Sequence, residues 1–286
     1  MKTLKVLLVL VTIGFMSCES KSTSDDDLSV SSSVNSEVIV EDIESVLDNV
    51  SIYSEASFGI GATSKTVSSS KEAEAINKHG RSGFFKDCAD IIVEVANDTI
   101  TTTITFSGEC EDYDGNIITG TIKKIRTISD TSKERTLIIE NLTINGYVIN
   151  GTKTSIYTTN DNGNPALTST VDISVETDEG TITKVGTRTI EITAGADTDS
   201  CYDDENTITG SSTITLANGA TFTVEITTPL IQPAGCRYIA SGVKQYTNAS
   251  GTVTVDYGDG TCDNIATKTA LDGTVTEIQI GKKRHH

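Results

Sequence analysis

Along most of the chain, apolar and polar residues alternate with a period of two. Val171, Ile173 and Val175 are separated by Asp172 and Ser174. The same alternation occurs around residues 103–106, 221–226 and 252–257. A period of two places apolar side chains on one face of a strand and polar side chains on the other. Each of these stretches is therefore predicted to be a strand with one buried face and one solvent-exposed face.

Turn sequences separate the predicted strands. Asn145-Gly146, Asn218-Gly219 and Asp272-Gly273 are dipeptides that favour tight turns. Strands joined by such short turns must run antiparallel. The prediction is a mainly β fold, an antiparallel meander of about a dozen strands over residues 84–281. The pattern leaves a sandwich, a split pair of sheets and a bent half-barrel open.

One segment has the period of a helix instead. From Val38 to Tyr53, apolar residues recur at spacings of three and four, with acidic residues such as Glu44 and Asp48 between them. This predicts an amphipathic helix that lies on the sheet or covers its open edge, with docking to a partner as the alternative. Residues 59–83 are rich in Gly, Ser, Lys and Ala and are predicted to be a linker. Helix and linker together occupy residues 37–83.

The first residues have the order of an export signal. Lys2 and Lys5 come before an apolar run at residues 6–16, and the small residue Ser17 stands just before Cys18. The run is too short to span a bilayer, which takes about 20 residues. Residues 1–17 are therefore predicted to be a signal peptide that is removed on export.

The sequence Phe15-Met16-Ser17-Cys18 resembles the lipobox of bacterial lipoproteins, with Phe15 where leucine is commoner. The resemblance implies cleavage before Cys18 and acyl chains such as palmitate on its thiol, which would anchor the protein to the outer membrane. Residues 18–36 are almost all polar and are predicted to be a flexible tether. Within them, residues 24–27 resemble the acidic tract that sends some Gram-negative lipoproteins to the cell surface.

Two segments of the predicted β domain resemble each other. Residues 88–122 and 236–278 share the order cysteine, strand, turn, Thr-rich strand, Gly-x-Cys, acidic residue and Gly-Thr. The stretch DYGDGTCDN at residues 256–264 is similar to a group of uncharacterised Gram-negative surface lipoproteins built from Thr-rich strands. That similarity covers most of residues 88–280. The similarity implies a fold and a location, but it gives no information about the molecular activity.

The cysteine spacing near the C-terminus predicts a disulfide. Exported proteins meet an oxidising compartment, where cysteines pair by default. In an antiparallel hairpin, facing residues are equidistant from the centre of the turn. The midpoint of Cys236 and Cys262 is residue 249, inside the predicted turn at residues 248–250. These two cysteines should therefore face each other.

The same geometry predicts a second disulfide, between Cys88 and Cys110. Their midpoint is residue 99, next to the predicted turn at Asn97-Asp98, and a bulge near Gly108 would absorb the offset. Cys201 is then left as a free thiol. Reduced or scrambled thiols, or a bridge from Cys201, remain the alternatives, because sequence alone does not fix connectivity.

Composition narrows the range of partners. A formal net charge of −18 repels phosphate backbones, so no nucleic acid is expected, and the basic residues 282–286 form only a short tail. The chain has no tryptophan, and its 6 Phe and 8 Tyr offer few rings for binding sugars. The predicted partners are the membrane, through the lipid anchor, and either an envelope protein or a small apolar ligand.

Candidate chemical groups are sparse. His79 is the only histidine apart from the terminal pair, so a catalytic triad lacks support, and no cofactor is expected. Thr99, within Asp98-Thr99-Ile100, resembles an acceptor site for O-glycans in some Gram-negative bacteria. The acidic residues are candidates for calcium ligands, with polar hairpin turns as the alternative; the candidates are Asp112, Asp114, Asp256, Asp259 and Asp263.

The sequence therefore predicts an exported, membrane-anchored lipoprotein that acts as a β-rich binding or structural module at the cell envelope. The alternative is a bent-sheet carrier that holds a lipid or apolar ligand in its concavity, with the helix as a lid. A hydrolase that uses a carboxylate pair is the third hypothesis, and an enzyme is not the expected outcome. A carrier would leave apolar residues lining an unfilled cavity, whereas a module would pack them against a second sheet or the helix.

Overall fold

The structure, a computed structural model, describes residues 25–56, 88–112, 115–127, 133–198 and 203–280. These residues form one long helix and a single sheet of 13 strands. The helix is α1 (Asp25–Ala56), and the strands are β1 (Ala89–Ala96), β2 (Thr99–Glu111), β3 (Ile117–Thr127), β4 (Lys133–Ile144), β5 (Tyr147–Thr159), β6 (Pro165–Thr177), β7 (Gly180–Ala194), β8 (Glu205–Thr215), β9 (Thr221–Gln232), β10 (Ser241–Asn248), β11 (Gly251–Asp259), β12 (Ile265–Thr269) and β13 (Val275–Gln279).

The sheet is an open antiparallel meander. Its strands lie in chain order from β1 to β13, so β1 and β13 are the two edges. Tight turns join neighbouring strands as predicted; at Asn145 and Gly146 both residues have positive φ, 52° and 88°. The prediction of a mainly β meander is confirmed. A sandwich is excluded for the described residues, because all 13 strands belong to one sheet.

One face of the sheet is buried and the other is exposed to solvent. On β6, Val171, Ile173 and Val175 are buried, whereas Asp172 is exposed. The same alternation holds along β2, β9 and β11, which confirms the strand interpretation. The buried face carries the core, which includes Ile104, Phe106, Ile122, Ile139, Leu142, Ile149, Ile214, Phe222, Val224, Val253 and Val255.

The core is completed by α1, which begins earlier than predicted. It starts at Asp25 and not near Val38, so the predicted tether (18–36) is wrong over residues 25–36. Those residues lack an apolar period, but they continue a helix whose later turns are fixed by packing. Extending an existing helix is far easier than nucleating one, which explains why a polar segment is helical here.

The buried stripe of α1 also differs from the prediction. Val40 is fully buried, whereas Val38 is 51% exposed. Ile43, Leu47 and Val50 are buried as expected. The stripe therefore runs through Val40 and not Val38, and it packs into the same cluster as the inner face of the sheet. The predicted linker (59–83), the signal peptide (1–17) and the basic tail (282–286) lie outside the described residues.

Candidate functional site

The inner face of the sheet carries four buried lysines among its apolar residues. On β5, Lys153 follows Ile149 and Gly151 at alternate positions and is 1% exposed. The other three are buried in the same way on β3, β7 and β10. A buried ammonium group is costly unless it has a charged or hydrogen-bonding partner. The lysines are Lys124, Lys153, Lys184 and Lys244.

The helix supplies the partners. Glu37, Glu41, Glu44 and Asp48 are spaced by four, three and four residues, so their side chains lie along one face of α1. This acidic face points into the sheet, and Glu37 and Glu44 are almost fully buried. The acids of this helix are therefore part of the interface between the helix and the sheet.

The central contacts join α1 to β7 and β5. Lys184 Nζ lies 2.7 Å from Glu44 Oε1, and both side chains are buried. Lys153 Nζ lies 2.6 Å from Asp48 Oδ1. The other carboxylate oxygen of Asp48 accepts a hydrogen bond from Arg188 Nη2 at 3.3 Å. Asp48 thus bridges two cations of the sheet.

The N-terminal contact joins α1 to β10. Lys244 Nζ lies 2.8 Å from Glu41 Oε1 and 3.4 Å from Glu37 Oε1. The Tyr246 hydroxyl donates a short hydrogen bond to Glu37 Oε2. Two carboxylates therefore share one lysine, and the tyrosine hydroxyl supplies a further donor to the more deeply buried carboxylate.

The last contact lies near the C-terminal end of the helix. Lys124 Nζ, on β3, donates a hydrogen bond to the backbone carbonyl of Ser51 at 3.1 Å. The last turn of α1 has no basic residue of its own. A cation close to the carbonyl end of a helix is stabilising. The sheet therefore supplies the positive charge that the helix sequence lacks.

The order of these contacts shows how the sheet is shaped. From Glu37 to Ser51 the helix passes from β10 over β7 and β5 to β3. Seven strand spacings would measure about 34 Å on a flat sheet, at about 4.8 Å each. The helix rises only about 21 Å over the same contacts. The sheet must curve towards α1, as in the bent half-barrel that was predicted.

The buried charges have perturbed pKa values. Burial lowers the pKa of Lys153, and this outweighs the opposite effect of Asp48. Burial, reinforced by the charge of Glu41, raises the pKa of Glu37. Burial acts against the charged forms of Glu41 and Lys244, but their mutual attraction prevails. The attraction between the two side chains lowers the pKa of Glu41 to about 2 and raises the pKa of Lys244 well above its usual value.

These shifts predict opposite pH dependences for two neighbouring carboxylates. The pKa of Glu41 is about 2 in the folded protein and 4.5 ordinarily, so its stabilising contribution is present above pH 4.5 and lost as the pH falls towards 2. The raised pKa of Glu37 has the reverse effect: its favourable contribution is complete below pH 4.5 and is lost as the pH rises through the raised pKa.

We expect Glu41→Gln to unfold more easily than the wild type at pH 7 and to lose less stability between pH 4.5 and pH 2. Urea unfolding followed by circular dichroism across that range measures the slope. The control is Glu225→Gln, on the exposed face of β9. An acid-induced loss in Glu41→Gln as steep as that of the wild type would contradict the assignment.

A small cavity of about 40 Å³ remains between the helix and the sheet. Ser169, Lys184, Gly186, Arg188 and Gly210 are among the residues that line it. Gly210 has a φ of +151°, and a Cβ there would lie 2.4 Å from the carbonyl oxygen of Thr187, so no larger residue fits without a shift. The volume suits a few water molecules rather than an acyl chain.

The predicted disulfides are both confirmed. Cys88 pairs with Cys110 and Cys236 with Cys262, at Cα separations of 5.4 Å and 5.8 Å. The register of β2 against β3 shifts between Phe106 and Cys110, and Gly108 there has a φ of +65°. This is the bulge that the cysteine spacing required. Each related segment thus forms a disulfide-bridged hairpin.

The candidate calcium ligands take part in local turns. Asp112 is buried and accepts hydrogen bonds from the backbone N–H and the side-chain amide of Asn116, at 2.7 and 2.8 Å. The other three described candidates, which are Asp256, Asp259 and Asp263, each accept a bond from a backbone N–H two residues later. Among the described residues, no group of three or more His, Cys, Asp or Glu side chains could hold a metal ion.

The remaining sequence candidates are not brought together. Thr99 is the first residue of β2, where it pairs with Ala96 on one side and Thr127 on the other, and its glycosylation stays a prediction. Cys18, Cys201 and Asp114 lie outside the described residues. Over the part of the chain that is described, no helix is long and apolar enough to span a membrane.

The buried charges are what sequence reasoning missed. One usable signal was the spacing of Glu37, Glu41, Glu44 and Asp48, which forms a helical stripe beside the apolar one. A second was the parity of the lysines: Lys153 and Lys184 occupy the same alternate positions as the apolar residues of their strands. A charge at a core position on a strand calls for a partner on whatever covers that face.

No protein-family model, no curated protein and no solved structure matches this chain.

Proposed function

We propose that the protein is an exported lipoprotein, anchored to the outer membrane through acyl chains on Cys18, whose β domain is a binding or structural module of the cell envelope. The lipobox resemblance and the export signal support the anchor. The packing of α1 against the concave face supports the module. The helix also connects the two parts, because it lies between Cys18 and β1 in the chain.

The module proposal depends mainly on the observation that the concave face of the sheet is covered by α1. An apolar carrier would have a cavity lined by apolar groups, of several hundred Å³. Here α1 lies on that face with five side chains in the apolar core, and ion pairs fix its position. The cavity that remains is small, and charged side chains of the helix and the sheet line it together with Val171, Val224 and Ile226. These features favour a filled module over the lipid carrier.

The surface left for partners is then the outer face of the sheet. Threonine hydroxyls hydrogen bond to each other across neighbouring strands there, as in the pairs Thr168–Thr189 at 3.0 Å and Thr247–Thr252 at 2.9 Å. Such cross-strand pairs hold the exposed side chains in fixed positions. The module therefore presents a rigid, hydroxyl-rich surface.

Cys18→Ser is expected to release the protein from the membrane fraction and to stop normal signal processing, because the anchor is lost. Fractionation of the cells, with intact mass of the recovered protein, measures both effects. The matched control is Cys201→Ser, which removes a thiol but keeps the lipobox, and it should stay membrane-bound. Membrane retention of Cys18→Ser equal to that of the control would refute the proposed anchor.

A further inference from the structure

The contact between Lys153 and Asp48 differs from an ordinary buried ion pair. Lys153 Nζ lies 2.6 Å from Asp48 Oδ1, yet this contact does not have the geometry of a hydrogen bond. Lys153 is 1% exposed and lies on the apolar inner face of β5. Buried polar atoms in proteins are normally satisfied by hydrogen bonds, so an exception calls for an explanation.

The surroundings of Lys153 favour an uncharged amine. Burial lowers the pKa of Lys153, although the charges of Asp48 and Glu44 act in the opposite direction. A desolvated lysine of this kind is an activated nucleophile. Lys244 provides the contrast, because it donates a hydrogen bond to Glu41 at 2.8 Å and its pKa is raised. Lys153 therefore suits nucleophilic chemistry, whereas Lys244 is held as a cation.

Asp48 presents its carboxyl group in a suitable way for attack by that amine. Its Oδ1 faces Lys153, and its Oδ2 accepts a hydrogen bond from Arg188 Nη2 at 3.3 Å. When a nucleophile adds to the carboxyl carbon, the guanidinium stabilises the negative charge that develops on Oδ2. The Asp48 side chain is 25% exposed, so a water molecule released there has a route to solvent.

We propose that Lys153 and Asp48 condense to an amide, an isopeptide bond that joins α1 to β5 covalently. The ammonium group first passes one proton to Oδ1, and the resulting amine adds to Cγ. A second proton then moves from the nitrogen to Oδ1, the Cγ–Oδ1 bond breaks, and water leaves. The third proton stays on the amide nitrogen, and the two opposite charges cancel. The reaction therefore needs no oxidant, reductant or other co-reactant.

The folded core supplies the driving force for this condensation. Two groups held in contact react as if each were present at a very high concentration, about 10⁵ M or more for well-oriented pairs. The product is an uncharged amide in place of a buried ammonium group, whose burial is costly.

The bond attaches the helix to the middle of the sheet. Tension applied to the N-terminal part of α1 then passes from Asp48 directly to β5 and bypasses residues 49–152. The cross-link does not depend on the proposed lipidation of Cys18. Failure of either proposal therefore leaves the other standing.

Mass spectrometry of the full-length protein after trypsin digestion tests the bond. Trypsin does not cleave after an acylated lysine, so the bond joins residues 22–65 to residues 136–184 in one branched peptide. Neither segment contains cysteine, so a disulfide cannot join them. The branched peptide should be one water molecule lighter than the sum of the two segments, and its fragment ions should place the link at Lys153 and Asp48.

The matched control is Lys153→Met, which removes the amine and keeps a long, unbranched side chain. Arg188 still compensates the charge of Asp48 in this variant. The control should give no branched peptide. The wild-type measurement decides the proposal by itself, so the test does not depend on the folding of the variant.

Three results would overturn the proposal. The first is a folded wild-type protein that yields residues 22–65 and 136–153 as separate peptides. The second is a link located at Glu44 and Lys184 instead. The third is a loss of water confined to an Asp-Gly sequence such as Asp272-Gly273, where the aspartate closes to a succinimide.

Discussion

Glu44→Ala is expected to lower the free energy of unfolding by about 3–5 kcal/mol, the usual cost of removing one partner of a buried ion pair. Glu44 lies 2.7 Å from Lys184, and both side chains are less than a tenth exposed. Without the carboxylate, the lysine must lose its proton or keep an uncompensated charge in the core. Urea or guanidinium unfolding followed by circular dichroism measures the difference.

Two controls separate the charge from the packing. Ser45→Ala changes the next residue of α1, which is exposed, and should alter stability by less than about 0.5 kcal/mol. The double variant Glu44→Leu with Lys184→Met replaces the pair by apolar residues of similar length and should recover most of the loss. If Glu44→Ala behaved like Ser45→Ala, the helix would not be docked as described.

The disulfide between Cys236 and Cys262 should contribute about 3.5 kcal/mol, from the entropy of closing a loop of its length in the unfolded chain. The bridge spans 26 residues. Replacing both cysteines by serine removes the bridge and leaves the Cys88–Cys110 bridge in place. Thermal or denaturant unfolding gives the size of the effect. Because the bridge closes the hairpin of β10 and β11, the loss should be concentrated at that end of the sheet.

The control for this prediction is Cys201→Ser, which should leave stability and both bridges unchanged. Non-reducing peptide mapping of the wild type should give two bridged peptides, one containing Cys88 with Cys110 and the other Cys236 with Cys262. A bridge from Cys201 to any of these four cysteines would overturn the assignment.

The features that could be predicted from the sequence are those that depend on local spacing. A period of two identifies strands because successive side chains point to opposite faces. In an antiparallel hairpin, residues equidistant from the centre of the turn face each other. The pairing of Cys236 with Cys262 therefore followed from the position of one turn. The bulge near Gly108 followed from the same rule. None of these inferences needs knowledge of distant parts of the chain.

The features that could not be predicted depend on what covers the sheet. Periodicity shows which face of a strand is buried and not what lies against it, so the sandwich and the half-barrel had equal support. An acid on a helix is normally solvated, and Glu44 is buried only because Lys184, far away in sequence, faces it. The start of α1 at Asp25 was missed because helix extension depends on packing further along the helix.

The central claim is that α1 fills the concave face of the native protein and buries the sheet lysines. Acetylation of the folded protein, with mass spectrometry of each lysine, tests it at single residues. Lys153, Lys184 and Lys244 should react at least about tenfold more slowly than the exposed Lys123 on β3, because a buried amine reacts only when the structure opens. Equal rates for these three lysines and Lys123 would contradict the account.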